Sequence, residues 1–191
     1  MTGPIMQQNY PATLPVKPSN GRAGRRFALP ANGLQKAAPV IAVLGLGTPL
    51  YWLALHGLTG HGWMTFIYQI FVAVFVSASQ VLLLIPVIMR YRMTEPRAGG
   101  RISTPLMLVA IILHSINGLF IEDAGDGPGE HYPAWVEGEL GISTQVTLYL
   151  WVGLTVSWVI VQLAAIIFAF VESSRSRLEQ QSQAFAGQTS P

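Results

Sequence analysis

Five side chains able to share or move protons interrupt otherwise apolar runs: Gln69, Gln80, His114, Asn117 and Gln162. His114 is the most versatile. A neutral imidazole can take up a proton, ligate a metal or exchange hydrogen bonds through two distinct nitrogens. Ala110, His114, Asn117 and Gly118 stand at i−4, i+3 and i+4 spacing and share one helical face. Gln69 and Gln80 are eleven residues apart, close to three helical turns, with Ala73 and Ser77 near the same face. Thr147, Trp151, Thr155, Trp158 and Gln162 form one stripe in the last run.

Such faces have three uses. Polar and small residues hold apolar helices together, the first expectation here. Ala165 with Ala169, and Gly153 with Ser157, are small-xxx-small pairs of the same kind. Alternatively, Gln69, Ser77, Gln80, His114, Asn117 and Gln162 line a path for an ion or substrate. In the third use, His114 ligates haem iron or chlorophyll magnesium. The pair Ala110-x-x-x-His114 resembles the Ala-x-x-x-His pattern of bacterial light-harvesting polypeptides. That resemblance implies a tetrapyrrole on His114, with the small residue leaving room for the macrocycle.

A second cluster is acidic. Glu122, Asp123, Asp126 and Glu130 offer hard oxygen ligands to a divalent cation. Asp126-Gly127-Pro128-Gly129 reads first as a turn, so a solvated loop or partner-docking surface is expected ahead of a metal site. No nucleophile–base pair, phosphate loop or metalloprotease helix is evident, and a non-enzymatic protein is expected.

The elements that position these residues follow from hydropathy. Of 191 residues, 51% are hydrophobic and 10% charged, where soluble domains carry roughly 25% charged residues. Four apolar runs, 37–55, 64–89, 105–121 and 147–171, lack Asp, Glu, Lys and Arg. Each is long enough to cross a hydrocarbon layer as a helix, and none alternates as a barrel strand would. The expected fold is an all-α integral membrane protein, a four-helix transmembrane bundle. Gly45, Gly47 and Pro49 predict a kink in the first span. Residues 1–36 hold five prolines and are expected to be an extended or disordered leader. Residues 172–191 are expected to lose order after one or two helical turns.

Charge sets the orientation. All eleven Lys and Arg lie in the leader, the 90–101 connection or the tail, and Glu122, Asp123, Asp126, Glu130, Glu137 and Glu139 lie in the 122–145 connection. The positive-inside rule makes the basic side cytoplasmic, giving N-in/C-in topology in the plasma (inner) membrane. Trp52, Trp63, Tyr132 and Trp135 are expected at the outer interface. The basic residues flank spans and form no groove, which argues against nucleic acid. Without cysteine there is no disulfide or thiolate metal site.

Three functions are therefore expected in order. The first is a non-enzymatic accessory or structural subunit of a larger membrane complex, of the energy-converting or secretion type. The second is a small transporter or channel, a homo-oligomer in that case. The third is a haem- or chlorophyll-binding protein using His114. The lipid bilayer and other membrane subunits are the expected partners.

Overall fold

The computed structural model describes residues 31–59, 67–94, 97–124 and 131–188. Most of the leader, His61, Trp63, Asp126 and Glu130 lie outside that set. The elements are α1 (Gly33–Lys36), α2 (Ala38–Leu46), α3 (Thr48–Thr59), a π-helical turn (Tyr68–Val72) leading directly into α4 (Ala73–Met93), α5 (Ser103–Asn117) with a 3-10 turn (Gly118–Phe120), α6 (Trp135–Leu140) and α7 (Thr144–Gln188). Three helices are long and apolar enough to cross a membrane, with a fourth crossing if α2 and α3 count as one bent span.

That first span is broken rather than kinked. α2 and α3 meet at 41°. The break falls at Gly47, two residues before Pro49, which occupies the first turn of α3. Proline is tolerated there because its missing N–H would be unpaired anyway. Thr48 Oγ1 donates to the Gly45 carbonyl at 2.8 Å, satisfying an acceptor near the end of α2.

The helices form a closed ring in which α2 packs on α4 and α5, and α7 packs on both α4 and α5. The core is Ala38, Ile41, Ala42, Leu83, Val87, Met107, Ala165 and Ala169. Four of the eight are alanines, whose small side chains let the helix backbones approach closely. The outer faces stay apolar: Phe75 is 79% and Ile160 62% exposed. Of the two small-residue pairs, Ala165 and Ala169 are buried, whereas Gly153 has open space beside it and Ser157 is exposed.

One end of the bundle is tied by polar groups. Asn32 and Gln35 form a capping box on α1, and the Gln35 carbonyl accepts from Gly99 N at 2.7 Å. Glu172 of α7 accepts from Ile102 N at 3.0 Å and from Ser103 Oγ at 2.6 Å, capping α5 from another helix. Arg90 Nη1 donates to the Glu172 carbonyl at 2.7 Å and to Ser176 Oγ at 2.6 Å. Gln180 Nε2 reaches the Met93 carbonyl at 2.8 Å. A β-carbon at Gly100 would overlap the Glu172 carboxylate, and one at Gly99 would overlap Ala38. These bonds gather the described basic segments, around residues 36, 90–101 and 175, at this end.

The opposite end carries a two-residue antiparallel pairing, Asp123 with Tyr132 and Ala124 with His131, followed by α6. α6 ends on Gly141 at φ 65°, a left-handed cap that suits glycine. The tail departs from expectation. α7 continues to Gln188 rather than losing order after two turns. Arg90 and Gln180 supply the reason, since both fasten the extension to the end of α4.

Candidate functional site

The 3.6-residue period of α5 does place Ala110, His114 and Asn117 inward, at 0%, 2% and 5% exposure. Gly118 follows on the same side and leaves a gap that Trp52 fills. A β-carbon there would lie 2.7 Å from Trp52 Nε1. The indole N–H donates to the His114 carbonyl at 3.2 Å. Trp52 was expected at the interface; it is buried, because the glycine admits its ring into the bundle.

Aromatic rings surround His114. Trp52 and Tyr68 stack with centroids 4.0 Å apart and planes 15° apart. His114 lies 6.0 Å from Trp52 at 13° and 4.9 Å from Trp158 at 36°. Tyr68 Oη is 3.2 Å from His114 Nε2. Asn117 Nδ2 donates to Thr155 Oγ1 at 3.0 Å. Trp52, Tyr68, His114, Asn117, Trp151 and Trp158 border a cavity of about 120 Å³. Tyr68 and Val72, at the two ends of the π-helical turn, both border it.

A second polar layer lies one turn of α7 away. Gln80 Nε2 donates to Gln162 Oε1 at 3.4 Å, and Gln162 Nε2 to Ser79 Oγ at 3.2 Å. Gly45 makes room, since a β-carbon there would sit 2.7 Å from Gln80 Oε1. Ser79, not Ser77, joins this layer. Ser77 borders an outward groove with Leu46, Pro49 and Ala73. The eleven-residue spacing from Gln69 to Gln80 no longer measures three α-turns, because the π-helical turn adds a residue between them.

The tetrapyrrole reading does not suit this arrangement. Nε2 of His114 is already paired with Tyr68, Trp158 packs against the ring, and the cavity has the size of a single small ring rather than a macrocycle. The acidic candidates lie largely outside the described residues, among which no three His, Cys, Asp or Glu converge. Glu122 is described in full and Asp123 in backbone; Asp126 and Glu130 are not described.

Tyr68, Trp158 and Glu172 were not singled out from sequence as site residues. Trp158 stood on the polar stripe of α7. Tyr68 offered no signal beyond being an aromatic in an apolar run. Comparison with protein-family models, curated proteins and solved structures finds no match.

Proposed function

We propose that this chain is a four-span integral membrane protein of the plasma (inner) membrane, with both ends cytoplasmic, acting as a non-enzymatic accessory subunit of a larger membrane assembly. Membrane insertion is supported by three helices long and apolar enough to cross, four with the bent pair α2–α3 as one span, and by their exposed apolar faces. Orientation is supported by the meeting of the described basic segments at one end, read through the positive-inside rule.

The observation that carries the subunit reading is the reach of α7. Its 45 residues span about 67 Å, against a hydrocarbon core of roughly 30 Å. From the end of the apolar run onward, Val171, Leu178 and Phe185 recur every seven residues and are 40%, 64% and 70% exposed. A seven-residue apolar repeat on a projecting helix fits a partner helix. The paired glutamines favour packing over a conducting path, because Gln80, Gln162 and Ser79 bond one another.

The test is purification of the full chain in mild detergent from its native membrane. Co-purifying chains are expected, and Leu178→Glu with Phe185→Glu should release them while helicity is retained. A lone monomer under conditions that preserve membrane complexes would overturn the subunit reading.

A further inference from the structure

We infer that the cavity beside His114 is a binding site for a small planar ring bearing carbonyl oxygen, of the quinone class. Three independent features converge there. The first is shape. The rings of Trp52, Tyr68 and His114 lie within 13–23° of one another, so the walls favour a flat guest. The volume, about 120 Å³, is close to that of engineered cavities of about 150 Å³ that take up benzene.

The second is unsatisfied polarity. His114 Nδ1, Asn117 Oδ1, Trp151 Nε1 and Trp158 Nε1 are buried without a hydrogen-bond partner among the described residues, and all four residues border the cavity. Buried polar groups are nearly always paired, so four orphans around one small space require an explanation. Indole N–H groups only donate. The His114 tautomer sets the direction of its bond to Tyr68, so Nδ1 can donate to a guest or accept from one. Two of the four, the indole N–H groups, are therefore fixed donors that only an accepting guest can satisfy. A carbonyl-bearing ring answers that need, whereas a hydrocarbon leaves every orphan as it was.

The third is backbone irregularity. The π-helical turn Tyr68–Val72 lies on this cavity, and such turns concentrate at functional sites. Ile67 and Val72, 43% and 38% exposed, form a rim on the outer surface of the bundle. A ring dissolved in the bilayer would enter sideways at this rim. That route rests on the membrane-spanning reading, while the pocket does not.

The experiment compares 1,4-benzoquinone with p-xylene, which has the same para-disubstituted shape without oxygens. Binding to the full chain in detergent is followed by equilibrium dialysis and by quenching of tryptophan emission. The chain lacks cysteine, so the quinone meets no thiol. Saturable binding is expected, at least tenfold tighter for benzoquinone. Trp158→Phe should weaken benzoquinone several-fold and leave p-xylene unchanged. Val72→Trp, which fills the cavity from its rim, should abolish both, with Ile67→Trp as the alternative if the first variant does not fold. Equal affinity for the two probes would overturn carbonyl recognition. Non-saturable uptake, or undiminished binding by a folded rim variant, would overturn the site. None of these readouts depends on partner subunits.

Discussion

Glu172 and Ser103 join the last helix, α7, to the start of α5: Ser103 Oγ donates to the Glu172 carboxylate at 2.6 Å, across 69 residues of chain. The same carboxylate accepts from the Ile102 N–H. A helix cap is ordinarily local, supplied by the residue before the first turn. Here Ile102 holds that position and offers no side-chain acceptor. The cap comes from a neighbouring helix, so α5 and α7 are stabilised together.

Glu172→Ala should therefore destabilise the bundle by about 1–2 kcal/mol, the scale of a lost cap. Glu172→Gln keeps a carbonyl acceptor and should lose less. Reversible unfolding in mixed micelles measures both. Equal loss in the two variants would show that the hydrogen bonds to α5 are not what matters.

Glycine-to-alanine changes should have opposite signs at two positions. Gly100→Ala would overlap the Glu172 carboxylate and should destabilise. Gly153→Ala meets open space within α7 and should stabilise by up to about 1 kcal/mol. The same unfolding assay tests the contrast, and a stabilising Gly100→Ala would contradict the packing described.

Gly118→Ala should push Trp52 out of its slot, since the new methyl would press on Nε1 and its neighbouring carbons. The indole would lose its bond to the His114 carbonyl. A red shift of tryptophan emission and loss of benzoquinone binding should appear together. Unchanged emission would show that Trp52 does not depend on the glycine.

A double-mutant cycle on Gln80→Leu and Gln162→Leu should give a favourable coupling of about 0.6 kcal/mol, no more than about 1.7. Each single change strands the other amide, while the double change removes the pair. Zero coupling would mean the 3.4 Å bond contributes nothing.

Topology has a direct test. Tags at both termini should be cytoplasmic, and a reporter inserted at Gly127 should be exported, because the 122–145 connection holds no Lys or Arg. Cleavage near Gly127 by protease added on the cytoplasmic side would reverse the assignment.

The face of α5 was legible because helical periodicity alone brings Ala110, His114, Asn117 and Gly118 to one side. The stripe from Thr147 to Gln162 was legible for the same reason, and the structure pairs its Thr155 with Asn117 and its Gln162 with Gln80. Trp52 was misplaced because the interfacial preference of tryptophan is a statistical rule, whereas its burial depends on a glycine 66 residues later. The π-helical turn has no sequence signature, so the side-chain register before Ala73 could not be read. The length of α7 was missed because Gln and Ser leave helix and coil close in energy. Arg90 and Gln180 tip that balance through contacts no local reading contains.

The remote cap also bears on biosynthesis. α5 leaves the ribosome well before Glu172 is made, and its leading N–H groups must be hydrated or held by other chains in the meantime. Arg90 likewise waits at the end of α4 for Ser176. The arrival of α7 completes both at once and closes the ring of helices. A chain stopped before this point would leave the leading N–H groups of α5 and the Arg90 guanidinium without the α7 partners that hold them here.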